Sequence, residues 1–500
     1  MKIKHILIGL SLAMFSLTSC EKSFDALEKD PNRPVNAPAS LVLNGILNDM
    51  YGVTGSPWGS QQRYNQFYCS NYDYYATNEY SWTTTGLSFS TLKNVIKMEE
   101  EAKIAGGAAV NPYTALGKFF RAYFYEDMTK RVGDLPLTDA LKGLENAAPK
   151  YNTQKEVYVQ ILKWLDESNA DLASLITNGD RTLSGDIYLG NNLRQWQKVV
   201  NSFKLRVLVS LSKKETDTDL NIKVRFAEMI GNPTKFPIMA SMADNLQYTH
   251  NTINKYPRNP DNFGNNATRE NMSKTYIDLL IDRKDPRLFV VAEPADAKLK
   301  AGLKATDFTA YAGASSGEDL ADMSTKALKG EYSFQNRKRY YGNYIGELVA
   351  IVGYPETCFS IAEGINRGWA SGSAEDFYTK GIAASMNFYG ITDATALNGY
   401  LAGGLVKYAG NTATGLSQIL TQKYLAFAQN SGMEAWYNQR RTEVPAFLVG
   451  VGTGNSGRIP KRWQYPSSEL STNKENLKAA LMSQFTTGND DTNDMMWILK

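Results

Sequence analysis

The sequence predicts a mainly α-helical protein, in which helical hairpins form a scaffold and long irregular segments run over it. Three observations carry this. Apolar residues recur at helical spacing through several segments, some opened by capping signals. Two of these segments, around Pro355 to Trp369 and Ser373 to Gly390, are separated only by Ala370-Ser371-Gly372, the length of a helical-hairpin turn. By contrast, the stretch from Leu246 to Tyr344 is rich in Asn, Gly, Pro and Tyr and holds only short helical patches. Irregular segments that long inside a compact domain are usually functional.

The chain opens with MKIKH, a short basic segment, and ILIGLSLAMFSL, an apolar core too short to span a bilayer as a mature helix. LTSC, from Leu17 to Cys20, then sets small residues before a cysteine. This order resembles the lipobox of bacterial lipoproteins, in which the cysteine becomes the first mature residue and carries acyl chains. Residues 1–19 are therefore expected to be a lipoprotein signal peptide, and Cys20 the attachment point of a diacylglycerol and an acyl chain such as palmitate. No other apolar run is long enough to span, so the mature chain is expected to be anchored to a membrane. Residues 20–38 are polar, with Pro31, Pro34 and Pro38, and read as an extended tether. Residues 39–500 follow as one domain.

Composition narrows the class. The formal charge is +3, and loss of Lys2 and Lys4 with the signal leaves about +1. No basic tail or Lys/Arg block is present, which argues against nucleic acid as a partner. With Cys20 lipidated, Cys69 and Cys358 remain. They are read as buried free thiols, although one bridge is compatible with an oxidising compartment. The core must then come from apolar burial, for which the chain is amply long.

Local signals place the helices in order. Thr153-Gln154-Lys155-Glu156 is a capping box, followed by a stripe of Val157, Ile161, Leu165, Leu172 and Leu175. Asn191 to Ser212 is amphipathic through Trp196, Val199, Phe203, Leu205, Val207 and Leu211. Met272 to Ile281 is a shorter helix ended by DRKDPR. Pro355 opens a helix at its first turn, where its missing N–H costs nothing, and this helix is expected to run to Trp369. Ser373, with Asp376 three residues on, caps its partner. The small and aromatic positions of the pair resemble a tetratricopeptide unit, irregularly repeated.

Catalytic signatures are weak. Gly452 to Gly457 matches GxGxxG, but RIPKRW follows where a phosphate-binding helix is needed. Gly313 to Gly317 matches GxSxG, yet the histidines, His5 and His250, both precede it, whereas a hydrolase elbow needs one after it. With one mature histidine, His-based zinc sites are not expected. Asp490, Asp491 and Asp494 form an acidic run without the spacing of a calcium loop and read as a solvated cluster. No metal or cofactor is expected beyond the lipid on Cys20. Paired carboxylates suited to glycoside hydrolysis are not distinguishable by spacing.

Several segments, in order, resemble the SusD/RagB family of surface nutrient-binding lipoproteins. They are the lipobox, Asp30-Pro31-Asn32, VGDLPLTDAL (Val132 to Leu141), PKYNTQKEVY (Pro149 to Tyr158) and the helix from Asp186 to Ser212. The match continues through Met272 to Leu288, Pro355 to Trp369, GMEAWYNQRRTEVP (Gly432 to Pro445) and RIPKRWQYPSSE (Arg458 to Glu469). The ending DTNDMMWILK departs from the family pattern in part. The resemblance implies a scaffold of tetratricopeptide-like helix pairs and a ligand face of irregular loops. It also implies an outer-membrane location facing the cell exterior, a SusC-like TonB-dependent transporter as partner, and no enzymatic activity.

In that setting the segment YNQFYCSNYDYYATNEYSW (Tyr64 to Trp82) acquires a reading. Sugar C–H faces pack on aromatic rings, and neighbouring Asn, Asp and Gln side chains satisfy hydroxyls that would otherwise be buried unpaired. Trp58, Tyr72, Tyr74, Tyr75, Tyr80 and Trp82 are the candidate ligand contacts, with core packing as the alternative for each. Tyr64, Phe67 and Tyr68 are expected in the core. A second aromatic loop, Tyr332 to Tyr344, adds Arg339, Tyr340 and Tyr341 as candidates for the same site. An oligosaccharide is the expected ligand. A peptide, or a surface hydrolase hidden in the loops, are the alternatives.

Overall fold

A computed structural model describes residues 37–500. The segments expected to be a signal peptide and a tether, as far as residue 36, and Cys20 between them, lie outside the described residues. The principal helices are α1 (Ala39–Thr54), α2 (Phe89–Ile104), α3 (Pro112–Val132), α4 (Gln154–Thr177), α5 (Leu193–Ser210), α6 (Lys274–Asp282), α7 (Tyr354–Asn366), α8 (Ala374–Phe388), α9 (Ala413–Ala426) and α10 (Glu434–Thr442). The strands are short: β1 (Tyr68–Ser70), β2 (Leu135–Pro136), β3 (Tyr151–Asn152), β4 (Leu246–Tyr248), β5 (Glu270–Met272) and β6 (Val349–Val352). They pair antiparallel as β1–β5, β2–β3 and β4–β6. The fold is mainly helical, as expected.

Helices α1 to α5 pack in succession, and α7 lies against α5, α8 and α9. The first apolar core fills the space between α1 and α5. A second, more aromatic core surrounds the β1–β5 ladder, α6 and α10, and a third lies between α7, α8 and α9. The capping box forms: the Thr153 side chain accepts from the Glu156 amide, and the Glu156 carboxylate accepts from the Thr153 amide at 2.7 Å. Every residue of the α4 stripe is buried, and each large side chain so placed stabilises the fold by roughly 1.5–3 kcal/mol. The hairpin of α7 and α8 forms as well, with Ser373 accepting from the Asp376 amide. It packs closely because Gly381 of α8 faces Phe359 of α7, where a Cβ would stand 2.7 Å from the ring.

Two helix boundaries differ from expectation. Met272 belongs to β5, not to a helix: its amide donates to the Ser333 carbonyl and its own carbonyl accepts from Ala314. Tertiary pairing thus claims the residue, and α6 begins at Lys274. The helix opened by Pro355 ends at Asn366, short of Trp369. Gly368 enters the left-handed region (φ +75°), and the chain folds back so that the Trp369 amide donates to the Gly364 carbonyl.

Helix α3 is buried nearly all round, so its apolar residues form no stripe for periodicity to reveal. Asn111 caps it and Pro112 stands in its first turn. Inside this helix Lys130 is buried and bridges two carboxylates, Glu126 at 2.8 Å and Glu434 of α10 at 2.5 Å. Nearby, Arg441 of α10 pairs with Glu363 of α7 at 2.5 Å. Glu434 and Arg441 of the GMEAWYNQRRTEVP segment are therefore internal struts between helices.

The motif-like glycines serve packing. Gly317 approaches the backbone of Val449 and Gly450, and Gly452 lies against the Glu318 carbonyl with no room for a Cβ. The two glycine-rich segments thus lean on each other. Asp490 is also committed: its carboxylate accepts from Arg462 and from the Tyr465 amide. Cys69 and Cys358 are both buried and free.

Candidate functional site

The tyrosine-rich loop leaves one end of the β1–β5 ladder. The register sets Tyr68 opposite Met272 and Ser70 opposite Glu270. The Asn71 amide extends the pairing by donating to the Arg269 carbonyl at 3.0 Å. The Asn71 side chain donates to Asn271 Oδ1 at 2.6 Å. Buried Asn78 closes the far end of the loop: its Oδ1 accepts from the Ser70 amide at 2.9 Å, and its Nδ2 donates to the Ser70 carbonyl at 2.8 Å. Two buried amides thus clamp both ends of a short excursion. At its tip the Tyr75 amide donates to the Tyr72 carbonyl, and Asp73 Oδ1 accepts from the Tyr74 amide.

This clamp holds three rings in the solvent. Tyr74 is 83% exposed, and Tyr72 and Tyr75 are 38% exposed each. Tyr74 meets Tyr75 edge-on with centroids 5.5 Å apart, and Tyr72 lies 6.0 Å from Tyr75 and 6.5 Å from Tyr74. Burial does not explain Tyr74, most of whose surface gains nothing from folding. What the arrangement offers is ring faces of low conformational entropy beside main-chain and Asp73 polar groups, which suits an amphipathic ligand such as a sugar.

The other candidate residues lie elsewhere. Tyr80 and Trp82 are buried. Trp82 stacks on Trp463 at 3.9 Å and meets Trp436 edge-on, while the Tyr80 hydroxyl donates to the Tyr64 carbonyl. Trp58 is buried too, its indole N–H donating to the Tyr256 hydroxyl and its ring set 4.7 Å from Tyr340. Tyr340 and Tyr341 belong to that same packed cluster, and Arg339 is paired with Glu347. Among the described residues, no ring contact joins Trp58, Tyr80, Trp82, Tyr340 or Tyr341 to Tyr72, Tyr74 or Tyr75. Phe67 and Tyr68 are core residues as expected, and Tyr64 is partly buried against the same cluster.

A residue that sequence reasoning missed completes the surface. The Arg269 guanidinium lies over the Tyr72 ring, 4.3 Å from its centre. A lone arginine in an Asn- and Thr-rich stretch carries no local signal. Only the ladder brings it beside the tyrosines.

Comparison with known proteins follows the same lines. The chain matches, over residues 31–466, the family model described as "Starch-binding associating with outer membrane", SusD-like. No curated protein matches it. Among solved structures, a SusD homologue from Bacteroides fragilis is 32% identical, with a TM-score of 0.83 over 93% of this chain and 100% of that one. An outer-membrane protein of Bacteroides vulgatus, whose description links it to nutrient binding, is 31% identical, with a TM-score of 0.81 over 93% of this chain and 100% of that one. A chitin-binding SusD homologue from Flavobacterium johnsoniae shares the fold at 18% identity, with a TM-score of 0.72 over 92% of this chain and 98% of that one. With a family model matching most of its length, and two relatives above 30% identity covered throughout, the chain belongs to the SusD-like family of outer-membrane-associated nutrient-binding proteins.

Proposed function

We propose that this protein is a cell-surface lipoprotein, anchored to the outer membrane through Cys20, that captures an oligosaccharide on Tyr72, Tyr74 and Tyr75. It hands that ligand, uncleaved, to a SusC-like TonB-dependent transporter. The observation that carries this is the exposed ring triplet on a loop clamped at both ends by Asn71 and Asn78. An aromatic face presented to solvent on a loop already clamped spares the ligand the cost of ordering that loop. Trp58, Tyr80, Trp82, Tyr340 and Tyr341 then act as the packed support beneath the loops, and Arg339 holds its own loop through Glu347. The starch and chitin ligands named for relatives support a saccharide as the ligand class.

The mature chain, purified in detergent, would be screened against glycan and peptide panels, and membranes would be probed for a co-purifying transporter. The expected result is binding to one class of saccharide with no release of products. Binding to peptides alone would overturn the saccharide reading. Product release abolished by one carboxylate substitution would overturn the non-enzymatic one.

A further inference from the structure

Arg269 is also a wall of a surface cleft of about 360 Å³ that adjoins the tyrosine loop. Besides Asn71 and Arg269, this cleft is lined by Asp296, Lys300, Lys329, Phe334 and Arg337. Its charges are unevenly partnered. Arg337 is held by Glu293, whose carboxylate accepts from its amide and its guanidinium at 2.5 to 2.9 Å. Arg269, Lys300 and Lys329 form no salt bridge among the described residues. The unpaired carboxylate in the lining is Asp296, so three unpaired cations face one unpaired anion. Arg269 Nε is buried with no hydrogen-bond partner, while its guanidinium carbon lies over the Tyr72 ring, 4.3 Å from the ring centre. In the tyrosine loop the acidic groups are Asp73, with one oxygen committed to the Tyr74 amide, and the exposed Glu79 at its far end. The positive side of the surface is therefore the cleft, one ring away from the platform.

We infer that the oligosaccharide lying on the tyrosines is anionic, and that the cleft receives its carboxylate or sulfate group through Arg269, Lys300 and Lys329. This rests on the reading of Tyr72, Tyr74 and Tyr75 as the ligand platform. The chemistry is direct. A planar guanidinium held beside an aromatic ring can offer paired N–H groups to two oxygens of one anion, and flanking ammonium groups add charge without demanding geometry. A neutral glycan leaves these cations hydrated and gains nothing from them. An anionic one replaces that hydration with charge-assisted hydrogen bonds.

The test is calorimetry of the mature chain in detergent with matched oligosaccharides: oligogalacturonides, sulfated galactan fragments, and neutral malto- and chito-oligosaccharides. The expected result is preference for an anionic ligand over neutral ones by about tenfold or more, eroded by added salt. The uronate and sulfate arms show which anion the cleft takes. Arg269→Gln should remove the preference. The exposed double change Lys300→Gln with Lys329→Gln should weaken it without touching the fold, which guards against an Arg269 variant that misfolds. Tyr74→Ala should weaken binding to every saccharide. If neutral glycans bind as tightly as anionic ones, and the lysine variant is unaltered, the anionic inference fails and the platform reading stands. If saccharides bind and Tyr74→Ala changes nothing, the platform reading itself fails. Binding of acidic peptides alone overturns both.

Discussion

The guanidinium of Arg269 lies 4.3 Å from the centre of the Tyr72 ring, although the two residues belong to segments far apart in the chain. The β1–β5 ladder brings the two segments together: Ser70 pairs with Glu270, and the Asn71 amide donates to the Arg269 carbonyl, so the residues beyond each strand emerge side by side. A rigid ladder end thus carries both the aromatic face and the first cation of the neighbouring cleft. Precision in the site comes from backbone pairing, and the loop tip needs only short range to stay in place.

The clamp itself is testable. Asn78→Ala removes both side-chain hydrogen bonds to Ser70 and leaves its buried amide and carbonyl short of partners, so stability should fall by about 1–3 kcal/mol. The loop must then be ordered on binding, and ligand affinity should drop by about two- to tenfold. Denaturant titration and calorimetry on the same variant read the two effects separately.

Trp82 should behave as a core residue. It is sandwiched against Trp463 and Trp436. Trp82→Ala is expected to lower stability by about 3–5 kcal/mol in chemical denaturation. Trp82→Phe, which keeps a ring in place, should cost less and leave ligand affinity near its starting value.

Lys130 holds two buried carboxylates with one ammonium. Lys130→Met would leave Glu126 and Glu434 facing each other without the ammonium that bridges them, and about 3–5 kcal/mol of destabilisation is expected. Burial already holds the Glu126 carboxyl well above the usual carboxylate range. The loss in the variant should therefore be smaller at pH 5, where one carboxyl can take up a proton, than at pH 8. Denaturation midpoints at the two pH values check this.

His250 supplies a second pH dependence. Its ring lies among Tyr51, Tyr248 and Tyr256, and its Nε2 stands 2.9 Å from the Tyr51 hydroxyl. Burial pushes its pKa from 6.5 down to about 4. The unfolded chain takes up a proton below about pH 6.5 that the folded chain refuses, so stability is full above that pH and declines as pH falls toward 4. Between pH 6.5 and 4.5 the decline should reach about 2 kcal/mol, and His250→Phe should flatten it. An unchanged slope in the variant would assign the acid sensitivity to other groups.

What was legible in the sequence follows from the range of the interaction involved. The Thr153–Glu156 box, the α4 stripe and the Ser373 cap depend on residues within one turn, and each forms as read. Helix α3 carries no stripe because it is buried on nearly every side. Met272 has the pattern of a helix start but pairs with Ser333 and Ala314, which no local pattern encodes. The aromatic segment could be located, yet its rings could not be sorted. Trp82 is buried by Trp436 and Trp463, whereas Tyr74, only a few residues earlier, has no distant partner to cover it. The same long-range pairing hid Arg269.

The most direct measurement is calorimetry of the best saccharide ligand against the wild-type mature chain, Tyr74→Ala, Tyr75→Ala and Trp82→Phe, with stability measured alongside. The tyrosine variants should keep wild-type stability and lose affinity by about tenfold or more, as stacking platforms do, while Trp82→Phe keeps its affinity. Undiminished affinity in both tyrosine variants would contradict the central claim and return the ligand site to another face of the protein.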